Sequence, residues 1–89
     1  MAYLSKDLSV LAYANGFTLW HYTTADTAAT VDTSGYFNIA VDMLRTGDII
    51  IANVNTAATP AAGLFLVRQA GSGSVDVADL TQVGASNTD

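Results

Sequence analysis

The chain has 89 residues, no cysteine, and a net charge of −5 that comes from eight aspartates against three basic residues. That length fits one domain, and the lack of cysteine excludes disulfide bonds, thiolate metal sites and a cysteine nucleophile. The basic residues are too few and too scattered to follow a phosphate backbone, which excludes a nucleic-acid partner and disfavours an anionic membrane surface.

The low share of charged residues leaves two interpretations open. Hydrophobic residues make up 51% of the chain and charged residues only 12%, about half the charged share of an ordinary soluble domain. Either part of the surface is covered by another copy or by a partner, or uncharged polar residues replace charges on the surface. A domain this small buries only about 60–65% of its unfolded surface, so association would add stability that its own core lacks.

We treat residues 1–89 as one domain, with residues 1–12 as a possible arm and residues 84–89 as a frayed tail. The apolar runs are far shorter than the ~20 residues that a membrane-spanning helix needs. The amino terminus also lacks the basic start and apolar middle of a signal peptide. We therefore expect a soluble chain that is not exported.

The first strong element is a strand at residues 17–24, which is rich in aromatic and β-branched side chains and follows the turn pair Asn15-Gly16. Before it, the apolar side chains between residues 8 and 13 fit either a short strand or a docked arm. Alternation along the strand places Phe17, Leu19 and His21 on one face and Thr18, Trp20 and Tyr22 on the other. Because both faces carry aromatic side chains, the strand is either covered on both sides or has an interface on its second face.

A first short helix is predicted after this strand. Asp26 fits the cap of a helical turn over Ala28, Ala29 and Val31, and Gly35 fits its end. The threonines in this segment weaken the helical tendency, so we expect no more than a turn or two.

A second helix is predicted from a 3–4 spacing of apolar residues, which are Ile39, Ala40, Met43 and Leu44. Asn38 fits its N-cap, Gly47 fits the position after its end, and Asp42 faces Arg45 at i,i+3. The pattern thus predicts a helix that leads directly into the next strand.

The rest of the chain predicts strands and turns. In order, the elements are a strand at residues 48–54, a loop at 55–62, a strand at 63–69, a turn at 71–73 and a last strand at 74–83. Three consecutive isoleucines in the first of these indicate burial on both faces, and a bulge is expected near Ala78 and Asp79. The predicted fold is α+β: a small, mainly antiparallel β-sheet or a partly closed barrel with one or two short helices.

The residues predict no catalytic, metal or cofactor site. His21 is the only histidine that could act as a catalytic base, and it lies in mid-strand between Trp20 and Tyr22. The sequence has no Gly-x-Ser-x-Gly motif that would supply a serine nucleophile. The aspartates at 26 and 32, or at 76 and 79, are spaced for a weak surface calcium, but capping and turns explain isolated aspartates better. We expect a protein that is not an enzyme and holds no cofactor.

The aromatic residues offer the only candidates for a functional surface. Phe17, Phe37 and Phe65 are expected in the core. The candidates for an interface are Tyr13, Trp20, Tyr22 and Tyr36. An alternative function is a small carbohydrate-binding or receptor-binding β module, in which Trp20 and a tyrosine on one exposed sheet face would stack on a sugar.

Four segments together resemble a small domain of tailed-bacteriophage and prophage proteins. They are, in order, Phe17-Thr-Leu-Trp-His-Tyr-Thr-Thr, Ala25-Asp-Thr-Ala-Ala-Thr-Val, Gly35-Tyr-Phe-Asn and Met43-Leu-Arg-Thr-Gly-Asp-Ile-Ile. The resemblance covers roughly residues 10–70. Proteins with this domain are similar to virion components of the head-decoration or head-fibre-base type, and they are found in marine and alphaproteobacterial settings. It is a signature of fold and brings no catalytic residue with it.

The resemblance implies a structural role in a virus particle. It implies a capsid-surface decoration or cement protein, or a fibre-base module, that is made in the bacterial cytoplasm and assembled into the virion. It also implies association with copies of itself, with a trimer favoured, and binding to the capsid or a neighbouring virion protein. Because no repetitive shaft follows residue 89 in this sequence, we expect the short capsid-surface role before the fibre role.

Overall fold

The computed structural model describes residue 3 and residues 5–84. Its strands are β1 Leu8–Ala14, β2 Phe17–Thr23, β3 Ile49–Val54, β4 Ala61–Gly71, β5 Ser74–Val77 and β6 Thr81–Val83. Its helical segments are a 3-10 turn at Ser5–Asp7, the helix α1 at Ala28–Val31 and a 3-10 turn at Asn38–Ala40. The predicted tail lies outside the described residues from position 85 onward, as do positions 1, 2 and 4 of the possible arm.

The strands form one open sheet. Its order is β1-β2-β3-β4-β5, and β6 pairs with β4 beside β5. All the pairs are antiparallel except β2 with β3, which confirms the mainly antiparallel sheet. The alternative of a partly closed barrel is wrong, because β1 and β5 lie at opposite ends of the sheet and do not pair with each other.

The parallel pair decides where the core lies. Two parallel neighbours need a connection that returns from one end of the sheet to the other, and here residues 24–48 make that crossover. The crossover packs on one face of the sheet. Its buried side chains are Val31, Phe37, Ala40 and Leu44, and those of the facing strands are Trp20, Tyr22, Ile50, Ala52, Val54, Phe65, Val67, Val75 and Val77.

The segment before β2 is a strand, which resolves the choice between strand and arm for residues 8–13. Asn15 and Gly16 both have positive φ, of 54° and 78°, as the type I′ turn of a two-residue hairpin requires. The register shifts between Val10 and Ala12, so Leu11 is the bulged residue of β1.

The prediction of the second helix overestimated its length. The second predicted helix is a single 3-10 turn, in which Ala40 is buried while Ile39 is 82% exposed; Leu44, which is also buried, lies beyond the turn. Asn38 does not cap it; its side-chain oxygen accepts a hydrogen bond from the backbone N–H of Val75 in β5, at 2.8 Å. The crossover is therefore held by contacts with the sheet, which override the local helical pattern.

The first helix also has a different cap. It is one turn long, and Thr27 is its N-cap, with a side-chain oxygen that accepts from the backbone N–H of Thr30. Asp26, the predicted cap, is buried and accepts a hydrogen bond from the hydroxyl of Tyr36 instead. Val31 anchors this turn, because its side chain is fully buried against the sheet.

The last strands match their prediction closely. β4 begins at Ala61, so the predicted loop is two residues shorter than expected. The predicted strand at 74–83 is divided into β5 and β6, which pair with the same strand β4, and the division falls at residues 78–80, where the bulge was expected. Ser72 and Gly73 make the turn between β4 and β5 with positive φ.

Candidate functional site

The sheet has a second face that the crossover does not cover. The register aligns Leu19 of β2 with Ile49 of β3 and Leu66 of β4, and places Ile51 beside Leu64 in the next row. Val83 of β6 continues the same side, paired with Ala62. We call the following six side chains the open face: Leu19, Ile49, Ile51, Leu64, Leu66 and Val83.

The open face is apolar and at least partly exposed. Leu66 is 45% exposed and Val83 is 63% exposed, while the four remaining side chains are half-buried among their neighbours. None of the six belongs to the buried core cluster. The predicted burial of β3 on both faces is wrong within this chain, because Ile50 faces the core whereas Ile49 and Ile51 face outward and are half-buried.

His21 lies on the open-face side of β2. Its Nε2 atom is 2.9 Å from the side-chain nitrogen of Asn53 on β3. Asn53 lies two residues after Ile51, the residue that pairs with His21. This contact gives the apolar surface one polar pair. The partner of the histidine is therefore an amide, and it supplies neither the nucleophile nor the carboxylate that a catalytic histidine needs.

Charge is almost absent from the open face. Its six members are uncharged, and the cation Arg68, which is exposed, lies two residues beyond Leu66 on β4. The exposed or half-buried aspartates lie instead on the first 3-10 turn, the crossover, β5 and the segment that follows it; they are Asp7, Asp32, Asp42, Asp76 and Asp79. A chain with a net charge of −5 thus presents an uncharged apolar face.

Strand β1 forms a second apolar surface, which we call the hairpin arm and define as Leu8–Ala14. After Leu8, every residue of the arm is exposed. Val10 is 56% exposed, Leu11 54% and Tyr13 66%. The arm pairs with β2 on one side only and lies at the end of the sheet, so its other edge is unpaired among the described residues.

The four aromatic interface candidates fall into different environments. Tyr13 lies on the exposed arm, and Tyr36 is half-buried. Trp20 is 6% exposed and Tyr22 is fully buried, so these two are core residues and not surface residues. The alternation of β2 was predicted correctly, but the crossover covers the face that carries Trp20 and Tyr22. A sugar-binding platform built on Trp20 is likewise wrong, because its indole ring lies inside the domain.

Asp48 is a buried carboxylate that joins β2 to the end of the crossover. The sequence indicated this residue only as the start of a strand. It is 1% exposed. One oxygen accepts the backbone N–H of Thr18, and the other accepts the indole N–H of Trp20 and the backbone N–H of Arg45, each at 3.1 Å. Three donors on one buried carboxylate replace much of its lost hydration. The only signal in the sequence was an aspartate directly before an apolar strand.

A second polar network lies inside the aromatic cluster of Tyr3, Tyr22, Tyr36 and Phe37. The Tyr36 hydroxyl donates to Asp26 at 2.7 Å and lies 2.9 Å from the Tyr22 hydroxyl. Burial, with the hydrogen bond to Asp26 next in importance, raises the pKa of Tyr36 well above its ordinary value. The phenol therefore stays protonated and acts as a link between the crossover and β2.

Three aspartates come together where α1 meets the end of β5. Burial raises the pKa of Asp32, and the neighbouring carboxylates of Asp79 and Asp76 raise it further. The structure thus joins Asp32, from the first aspartate pair considered from the sequence, with both members of the second pair. Among the described residues no group of three acids, histidines or cysteines is arranged to hold a metal ion.

The described residues form no enclosed pocket. No helix among them is both long enough and apolar enough to cross a membrane. Comparison with protein families, curated proteins and solved structures finds no match to this chain. The surfaces themselves therefore carry the functional argument, and the open face and the hairpin arm are the two that their chemistry sets apart.

Proposed function

We propose that this chain is a structural protein that works by association, both with copies of itself and with another protein. The observation that carries the proposal is the open face, an uncharged apolar sheet surface in a chain with a net charge of −5. The largest contiguous apolar patch on a typical soluble monomer is about 300–600 Å² and is often an interaction site. The face is built on strands, so it is rigid and already shaped for a partner.

The size of the open face sets the strength of one contact. Three strands of about six residues span a flat area of about 14 by 20 Å, or roughly 280 Å². Covering that area is worth roughly 7 kcal/mol at 25 cal/mol per Å², before the cost of association. That cost is of comparable size, so a single contact of this kind is weak and an assembly needs several.

We place this association in a virus particle. The resemblance to head-decoration and fibre-base domains of tailed bacteriophages supports a capsid-surface decoration or cement protein, trimeric in its assembled form. A shell presents many copies of one partner at fixed spacing, so weak contacts add up through multivalency. The chain would be made in the bacterial cytoplasm and would be found in the virion.

Peptide mass spectrometry of purified particles tests the virion setting. Particles induced from the bacterium that encodes this chain are purified by density gradient, and the chain is quantified relative to the major shell protein. We expect it in the particle fraction at a fixed ratio to the shell protein. If it stayed in the cell lysate and did not sediment with the particles, the virion proposal would be wrong.

A further inference from the structure

We infer that the hairpin arm of one copy packs on the open face of the next copy, in a head-to-tail contact that closes into a ring. The inference rests on the self-association part of the proposed function and adds the surfaces and their pairing. The occupant of the open face is thus a second copy of this chain, and the segment that it contributes is Leu8–Ala14.

The chain carries two apolar surfaces that are not equivalent. The open face is one side of the central strands, whereas the hairpin arm is an edge ribbon with Val10, Leu11 and Tyr13 exposed. A symmetric pair that joins open face to open face would leave both arms in water. A head-to-tail contact covers one surface of each kind at every junction, and such contacts form rings when the rotation closes.

The lengths of the two surfaces agree. The arm has seven residues and so is about 23 Å long and about 5 Å wide. The open face is about 20 Å long and about 14 Å wide over three strands. One arm can therefore lie along the whole length of the face, and a copy in a ring buries both its arm and part of its face.

The charges also favour this pairing. The arm contains no charged residue, and neither does the open face. Two chains of net charge −5 repel each other when their aspartates meet, but neither the arm nor the open face contributes an aspartate to this contact. The exposed Arg68 lies at the margin of the face, where it opposes no cation of the arm.

The arm has little support within its own chain. Only Leu8 of its seven residues is buried, and β2 is the only strand among the described residues that pairs with the arm. An unprotected strand edge is normally blunted by lysine, proline or a bulge. The arm has the bulge at Leu11 but neither lysine nor proline, so a neighbouring copy is a fitting cover for it.

Two charge-introducing variants test the pairing. Tyr13→Asp places a carboxylate on the arm, and Leu66→Asp places one on the open face; both side chains are exposed, so the fold is expected to persist. Ile39→Asp is the matched control, because Ile39 is the most exposed of the large apolar residues and lies on the crossover, away from both surfaces. Circular dichroism and thermal unfolding check that all three variants fold.

The decisive measurement is native mass spectrometry of the variants alone and mixed in equal amounts. We expect Tyr13→Asp and Leu66→Asp each to be monomeric and Ile39→Asp to associate like the unchanged chain. At high micromolar concentration we expect the mixture to contain a one-to-one pair of about 18 kDa, twice 9.2 kDa, as a minor species, because the pair has only one contact and a single contact is weak. The pair forms because one variant keeps its arm and the other keeps its face.

Each other outcome has a separate meaning. If the unchanged chain associates but the mixture stays monomeric, or if Tyr13→Asp associates normally, the head-to-tail pairing is wrong while the proposed self-association stands. If the unchanged chain is itself monomeric at high micromolar concentration, the self-association in the proposed function fails, and this inference fails with it.

Discussion

Asp48 joins β2 to the end of the crossover, about 30 residues further along the chain. Its carboxylate accepts hydrogen bonds from Thr18 and Trp20 on β2 and from Arg45 at the end of the crossover. These contacts fix the start of β3 beside β2, which is the parallel pair that makes the crossover necessary. A buried carboxylate with these donors is stabilising only while all of them remain in place.

Replacing this carboxylate is therefore expected to be costly. Asp48→Asn turns one accepting oxygen into an N–H donor that faces other N–H donors, so we expect the free energy of unfolding to fall by about 3 kcal/mol. Urea unfolding followed by tryptophan fluorescence measures it. Asp42→Asn, at an exposed aspartate, is the control. Equal stability of the two variants would show that the network around Asp48 is unimportant.

At Asp32 the expected effect depends on pH. Its raised pKa means that the folded chain holds this proton more tightly than the unfolded chain. The protonated form therefore favours folding, and this contribution is lost as the pH rises through the raised pKa. Asn at this position cannot ionise, so the Asp32→Asn variant does not lose this stability as the pH rises. We therefore expect the substitution to stabilise the protein at pH 7 and to have little effect at pH 3.

Urea unfolding of Asp32→Asn and the unchanged chain at both pH values measures this difference. Asp42→Asn again serves as the control, here for the general benefit of removing one negative charge from an acidic chain. A stabilisation by Asp32→Asn that is the same at pH 3 and pH 7, or no larger than that of Asp42→Asn, would contradict the carboxylate contacts between Asp32 and its neighbours.

At the scale of elements, Gly63 shows why β6 lies so close to β4. A β-carbon at this position would lie 2.4 Å from the backbone oxygen of Thr81 and 2.8 Å from the side chain of Leu80. Both distances are shorter than real contacts allow, and one of the atoms is backbone. The chain therefore needs glycine here for the close approach of the segment that leads into β6.

We expect Gly63→Ala to destabilise the protein by about 2–3 kcal/mol, because β6 must shift to admit the added methyl group. Hydrogen exchange then shows faster exchange at the β4–β6 pair. Gly16→Ala is a useful comparison. A β-carbon at residue 16 would meet no other atom within 4 Å, but the backbone there has a positive φ of 78°, so we expect the substitution to cost only about 1 kcal/mol of backbone strain. A Gly63→Ala protein as stable as the unchanged chain would contradict this packing.

The strands could be predicted from the sequence much better than the helices. Alternation in β2 and the turns at Asn15-Gly16 and residues 71–73 are local signals, and the structure confirms them. The spacing of Ile39, Ala40, Met43 and Leu44 is also local, but the crossover has to fit over a sheet whose order is not local. Its backbone is therefore set by contacts such as that of Asn38 with Val75.

The same limit applies to the candidate site. The sequence indicated that β2 has two apolar faces and that one of them is a candidate interface. It did not indicate which face the crossover covers, because that depends on the parallel pairing of β2 with β3. Trp20 and Tyr22 were therefore interface candidates, while Leu66 and Val83 were assigned only to strands, although the structure exposes them.

At the scale of the whole molecule, charge and apolar surface are separated. The aspartates keep the chain hydrated over the crossover and β5, and the open face and hairpin arm are left without charge. A small domain with a marginal core gains stability when such surfaces are covered by its own copies. This arrangement is what a subunit of an assembly requires, and it is the central claim of the proposed function.

Light scattering on the purified chain over a range of concentrations, with Leu66→Asp beside it, tests that claim most directly. We expect the unchanged chain to approach about 28 kDa, three times the 9.2 kDa of one copy, while Leu66→Asp remains at 9.2 kDa. A mass of 9.2 kDa for the unchanged chain at high micromolar concentration would contradict the claim. So would an assembly that Leu66→Asp leaves intact, because the open face would then not be its interface.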